Sequence, residues 1–304
     1  MTTAVDLFAG AGGWTTGATQ AGVQVLVAAN HWATAVRSHR MNHPETLHLC
    51  QDLALLDPRT LPAHELLIAS PACQGHTQAR GTDKPHHDAS RATAWCVVTI
   101  AEVTRPATLV VENVPGFKRW PLYNLWRQAL EQLGYNVSEA VLDAADFGVP
   151  QERKRLFVVG TRNRKAPQLQ APQNPQHVPV RDIIDWSEGE WTEIDKPGRA
   201  AATLRRIEAG RERFGSRFVA PYYGSGSGET GRSIDRPLGT VTTLARWALI
   251  DGDRMRMLSL EENRRAMGFP SGYHLWGSQR DQLKQLGNAV PPPLARGVIE
   301  QLVA

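Results

Sequence analysis

The sequence predicts an α/β protein: a doubly wound, mostly parallel sheet, with a smaller mixed lobe inserted before the last element. Three observations carry this. Apolar runs of strand length recur at Ala4-Val5-Asp6-Leu7-Phe8, Val23-Gln24-Val25-Leu26-Val27, Leu66-Leu67-Ile68-Ala69 and Thr108-Leu109-Val110-Val111. Stretches of helical character separate them, the alternation that makes neighbouring strands parallel. Chemically versatile residues stand where those runs end, Cys73 after the third and Glu112 at the fourth, on the carboxyl edge where ligands of such sheets collect.

Composition narrows the class. With 304 residues, 41% of them hydrophobic, the chain can bury one large core or a core plus a smaller lobe. No apolar run approaches a membrane span, and Met1 to Asp6 lacks a signal peptide's basic start and long apolar stretch, so a soluble, cytoplasmic protein is expected. Cys50, Cys73 and Cys96 are odd in number and widely spaced, which argues against a disulfide framework or a zinc site. A net charge of +4 is compatible with a polyanionic partner.

In order, the first strand leads into the turn Ala9-Gly10-Ala11-Gly12-Gly13, with a helix from Trp14 to Gln20. Such an element lets backbone approach a nucleoside-like ligand, although its spacing is not the dinucleotide GxGxxG and a plain βα turn reads the same way. The second strand, from Val23 to Ala29, ends at Asn30-His31-Trp32, with His31 where a ribose-binding carboxylate is usual. A helix from Ala33 to Met41 follows, then a short third strand closed by Asp52.

Ser70-Pro71 stops the strand Leu66-Leu67-Ile68-Ala69, and Cys73 follows amid His76, Arg80, Lys84, His86, His87 and Arg91. Basic surroundings favour the reactive thiolate, whereas an ordinary buried cysteine would be inert. Gln74 to Ser90 has no periodicity and reads as a long loop fit to be an active-site lid. A helix resumes from Arg91 to Val103. Glu112 then shares one rim with Cys73, where a carboxyl facing a nucleophile can serve as proton donor.

Leu122, Leu125, Trp126, Ala129, Leu130 and Leu133 form a helical stripe expected in the core. Strands are expected from Val137 to Leu142 and from Arg155 to Val159. Alternation would point Gln151, Arg153 and Arg155 to one face, fit for a carbonyl oxygen or phosphate or simply a solvated surface. Residues 164–179, rich in Gln, Pro and Asn, read as a connector, and Val180 to Trp186 as an amphipathic piece. Next come a basic helix through Arg205 and Arg206, a Gly/Ser loop from Tyr222 to Gly228 and a helix over Leu260 to Met267. Arginine, tyrosine and flexible glycine together suit phosphate contact. The loop Leu286 to Pro293 and an apolar helix to Val303 return to the first lobe, giving domains 1–185 plus 286–304, and 186–285.

Five motifs in this order resemble the cytosine-5 DNA methyltransferase family: Asp6-Leu7-Phe8-Ala9-Gly10-Ala11-Gly12-Gly13, Ser70-Pro71-Ala72-Cys73-Gln74, Glu112-Asn113-Val114, Gln151-x-Arg153-x-Arg155 and Gly287-Asn288-Ala289-Val290. The resemblance spans nearly the whole chain. It implies a Rossmann-like class I methyltransferase fold with a target-recognition domain at 186–285, and S-adenosylmethionine as methyl donor. The substrate it implies is a cytosine flipped out of duplex DNA. Cys73 would add to carbon 6, Glu112 would serve ring nitrogen 3, and Arg153 and Arg155 would complete the catalytic set. Asp6, Phe8, Gly10, Gly12, Gly13, His31, Trp32, Asp52, Asn288 and Val290 are the expected cofactor residues. Gln74, Arg80, Gln151, Arg205, Arg206, Tyr223, Gly224 and Arg246 are the expected DNA contacts. No metal, no membrane and a monomer are expected, in a prokaryotic or phage setting with a separately acting restriction endonuclease as the further partner.

Three departures stand out. His31 replaces the family's usual glutamate, which predicts weaker cofactor binding or a compensating group. Ala72 replaces the proline before the nucleophile, and Gly75-His76-Thr77 the usual Phe-Ser ending. Competing readings are a transfer-RNA methyltransferase of the same fold, a non-catalytic DNA-binding paralogue, and transfer of a group other than methyl.

Overall fold

The computed structural model describes residues 1–72, 85–163, 165–222 and 231–304, with backbone alone from 85 to 92. Cys73, Gln74, Arg80, Tyr223 and Gly224, and most of the expected lid, lie outside the described residues.

The apolar runs become strands of one seven-stranded sheet. β1 (Thr3–Leu7), β2 (Gln24–Asn30), β3 (Leu47–Cys50), β4 (Leu66–Ala69), β5 (Thr108–Asn113), β6 (Asn136–Asp143) and β7 (Lys154–Thr161) lie in the order β3-β2-β1-β4-β5-β7-β6. All adjacent pairs from β3 to β5 are parallel, and β7 runs antiparallel to both its neighbours. Every residue of β4 is buried, as befits a strand covered on both faces. The strand order reverses between β1 and β4. A crevice opens at their carboxyl ends, where the following segments depart in opposite directions.

Helices cover both faces. α1 (Gly13–Gln20) and α8 (Pro292–Val303) pack on one side in a core with Trp14, Phe157 and Ile299. On the other side α3 (Pro85–Thr104) and α4 (Tyr123–Gln132) pack over Val97, Ile100, Trp126 and Leu130. α2 (Ala33–Asn42) joins β2 to β3.

The second lobe is an antiparallel sheet of β8 (Thr192–Glu193), β9 (Arg217–Pro221), β10 (Arg232–Ser233), β11 (Trp247–Asp251) and β12 (Arg254–Met257), in the order β10-β9-β11-β12-β8. α5 (Ala201–Phe214) covers it through Ile207. α6 (Leu260–Ala266) and α7 (Gln279–Asn288) then lead back to α8. A further core joins Val180, Ile183, Val241 and Met267 to Tyr273, Leu286 and Ala289, so the two lobes share apolar contact.

Several expectations need correction. α3 begins at Pro85, so the segment read as loop to Ser90 is helical in its last six residues. Leu122 and Leu125 are 43% and 56% exposed, since α4 turns only its Tyr123, Trp126 and Leu130 side inward. The piece from Val180 is a single 3-10 turn ending at Ile183. Leu286 to Asn288 close α7, whose start is a capping box of Ser278 and Asp281, instead of forming a loop.

Candidate active site

A cavity of about 230 Å³ opens at the carboxyl ends of β1, β2, β4 and β5. Phe8 and Gly10 line it from the first turn, His31 and Trp32 from the end of β2, Ser70 and Ala72 beyond β4, Glu112 from β5, and Asn288 and Val290 from the last motif. Sequence positions 8 and 290 thus meet in one crevice.

The glycine turn is shaped by conformation. Phe8, Gly10 and Gly12 have φ of 59°, 56° and 98°, and Gly12 caps α1 without a side-chain hydrogen bond. A Cβ on Gly13 would sit 2.0 Å from Val290 O, so only glycine lets the last motif close against the first. Asp6 does not line the cavity. It is fully buried behind the turn, where Thr15 Oγ1 donates to its Oδ2 at 2.8 Å. Burial pushes the Asp6 carboxyl up to about 7 against the Thr15 hydrogen bonds. Because Thr15 spends its proton on Asp6, it accepts from His39 Nε2 at 3.0 Å, and His39 Nδ1 then accepts from His48 Nε2 at 2.8 Å. Burial, then the nearby His43 and His48, hold His39 well below the usual imidazole range.

Glu112, at the end of β5, is 6% exposed. Arg155 Nε lies 2.9 Å from its Oε1, and Ser70 Oγ donates to its Oε2 at 2.8 Å. Trp14 Nε1 in turn donates to Ser70 Oγ at 2.9 Å. Asn113 Nδ2 donates to Pro71 O at 3.1 Å, tying β5 to the segment that leads to Cys73. A carboxylate, its two donors Ser70 and Arg155, and the approach to a cysteine therefore converge on one rim, a set that can hold a heteroaromatic ring by its polar edge.

Of the three residues expected on one strand face, Gln151 parts from the other two, because β7 starts only at Lys154, after Pro150. Arg153 and Arg155 both line the cavity. Arg153 is 1% exposed, with Nη1 donating to Val241 O at 2.9 Å and Nη2 to Gly287 O and Ala289 O at 2.7 and 3.0 Å. Its guanidinium clamps the second lobe to the last motif. Gln151, expected on DNA, is fully buried and bonded to Ala266 O and Val241 N, so it offers no surface to a duplex. Asp52 is exposed and does not line the cavity; its side chain caps a short 3-10 turn through Ala54 N at 3.0 Å. In the second lobe Arg205 is exposed, Arg206 donates to Pro221 O at 2.9 Å, and Arg246 is partly buried.

Sequence reading missed Ser70, Trp14 and Lys284. Ser70 carried one signal, its place just before the Pro71-Ala72-Cys73 run. Lys284 carried none: its Nζ lies 4.4 Å from the centre of the Trp32 ring, a contact only folding reveals.

The cavity suits an adenosyl ligand on its own chemistry. The Phe8 and Trp32 rings offer apolar faces, and a Cβ on Gly10 would meet nothing nearer than Phe8 O at 3.9 Å, leaving room beside the turn. His31 supplies less hydroxyl recognition than a carboxylate would.

The C-5 cytosine-specific DNA methylase family profile matches residues 2–304. The Type II methyltransferase M.HgiDI of Herpetosiphon aurantiacus is 31% identical over 302 residues, covering 96% of this chain and 91% of its own. The Type II methyltransferase M.NlaX of Neisseria lactamica is 29% identical over 310 residues, covering 99% and 96%. In fold, the S. pombe Dnmt2 methyltransferase aligns with a TM-score of 0.68 at 17% identity, covering 100% of this chain and 98% of its own. Among the described residues no helix is long and apolar enough to cross a membrane. The match of profile and relatives along the whole length, together with the rim that gathers Glu112 and Arg155, places this chain in the C-5 cytosine-specific DNA methylase family as a DNA cytosine-5 methyltransferase.

Proposed function

We propose that the chain methylates carbon 5 of a cytosine swung out of duplex DNA, by transient covalent attachment of the base to Cys73. The observation that carries this reading is the convergence of Ser70 and Arg155 on Glu112, beside the strand that leads to Cys73. Carbon 5 of cytosine is too weak a nucleophile while the ring is aromatic. Addition of the Cys73 thiolate to carbon 6 makes carbon 5 enamine-like. A proton shared between Glu112 and ring nitrogen 3 offsets the charge that moves onto the ring, and Arg155 faces the carbonyl oxygen. Once carbon 5 carries the methyl group, its proton leaves to water, the proton shared with Glu112 leaves nitrogen 3, and Cys73 departs as thiolate, which restores the ring. The base must leave the stack for this, at a cost of a few kcal/mol.

S-adenosylmethionine, when bound, supplies an electrophilic methyl group. Phe8 and Trp32 would flank its adenine, Gly10, Gly12 and Gly13 would allow backbone approach, and Asn288 and Val290 would border the methionine or target side. The second lobe, within residues 186–285, would contact the flanking duplex, with the exposed Arg205 as its first candidate for a phosphate. The names of the Type II relatives support a restriction–modification setting with a separate endonuclease.

Bisulfite sequencing of DNA from cells expressing the chain reads the product and its site. With duplex containing 5-fluorocytosine, the unaltered chain should form a trapped adduct and Cys73→Ser should form none. Undiminished methylation by Cys73→Ser would sink the covalent route.

A further inference from the structure

We infer that Trp14 and Ser70 are positioning residues that fix the Glu112 carboxylate in the one rotation that serves the target base. The inference rests on the reaction proposed above. An indole N–H can only donate, so Ser70 Oγ must accept from Trp14 Nε1 at 2.9 Å. The single proton of the Ser70 hydroxyl is thereby directed to Glu112 Oε2 at 2.8 Å. Arg155 Nε holds the other oxygen at 2.9 Å. Each carboxylate oxygen then has one protein donor and a remaining lone pair, and the cavity that Glu112 lines is where a base edge would find them. Without the indole, the Ser70 hydroxyl would be free to turn and accept.

Packing makes the chain rigid. Trp14 is 2% exposed, and its ring stands edge-on to Phe157 with centroids 6.0 Å apart. It lies in the first turn of α1, directly after Gly13, the residue pinned against Val290. The helix that opens the cofactor turn therefore also sets the orientation of the acid on β5. No sequence motif marks Trp14 for this role.

The test is a double-mutant cycle on the full chain, with four readings: kcat for methyl transfer to duplex DNA, KM for DNA, Kd for S-adenosylhomocysteine, and melting temperature. Ser70→Ala should lower kcat by about ten- to a hundredfold, the usual effect of losing a hydrogen bond to a charged group, with KM and Kd within about twofold. Ser70→Thr, which keeps the hydroxyl, should restore most of the rate. Trp14→Phe keeps the aromatic packing and removes only the N–H. It should lower kcat about tenfold, and add nothing once Ser70→Ala is present. It also tests the chain should Ser70→Ala fail to fold. Full rate in Ser70→Ala, no rescue by threonine, or losses that multiply would each overturn the chain. If the unaltered protein transfers no methyl to carbon 5 of cytosine, the reaction itself falls and this inference with it.

Discussion

Arg155 Nε stands 2.9 Å from Glu112 Oε1, and the two side chains are only 11% and 8% exposed. Removing one partner of such a pair leaves the other charge with little water to replace it. Arg155→Met is expected to lose roughly 2–3 kcal/mol of stability, somewhat less than a fully buried pair would lose, and to lower kcat about a hundredfold. Urea unfolding alongside single-turnover methyl transfer measures both. A variant with unchanged unfolding midpoint and rate would show that the contact does nothing.

Arg153 predicts the opposite balance. Its guanidinium joins Val241, Gly287 and Ala289 through their carbonyls, and a lysine cannot span the same fork. Arg153→Lys should destabilise by about 2–3 kcal/mol while keeping kcat within about tenfold. Arg155→Lys should cost rate more than stability. Equal patterns for the two lysine variants would mean that both arginines serve the same end.

His31 borders the cavity where a carboxylate would accept from ribose hydroxyls. His31→Glu should tighten S-adenosylhomocysteine about tenfold, the gain of a charge-assisted hydrogen bond. Calorimetry reads this directly. An unchanged dissociation constant would mean that another group already fills the role.

Asp6 sets a pH dependence of stability. Its carboxyl titrates at about 7 in the folded chain, against about 3.9 for an unperturbed aspartate. The folded state binds this proton more tightly, so the stabilising contribution is complete below about pH 4 and is lost as pH rises through about 7. Asp6→Asn does not titrate. Its melting temperature relative to the unaltered chain should climb between about pH 5 and 7.5, and a difference flat across that window would refute the assignment.

How much of this was legible can be judged element by element. Leu66-Leu67-Ile68-Ala69 reads as a buried strand because a fully covered parallel strand has no polar face, and β4 occupies those residues. Glu112 ends β5 on the rim that β4 also reaches, as consecutive parallel strands do, whereas Cys73 lies outside the described residues. Alternation held for Arg153 and Arg155, which both line the cavity, and misled at Gln151, because the rule holds only inside a strand and β7 had not begun there. The five-stranded second sheet was not legible, since β8 and β10 are two residues long and carry no periodicity.

The sequence alone determined the doubly wound sheet, its order of strand-ending residues and the five motifs, because apolar period, glycine spacing and chain order are local properties. The tertiary structure decided what those side chains touch. It buried Gln151, turned Arg153 into a clamp between lobes, hid Asp6 behind the turn, and ran Trp14 through Ser70 to Glu112. Those contacts join residues 42 to 136 positions apart, apart from the short Thr15–Asp6 link. Only the packing of α1 and the second lobe against the sheet sets such distances, and no window along the chain contains them.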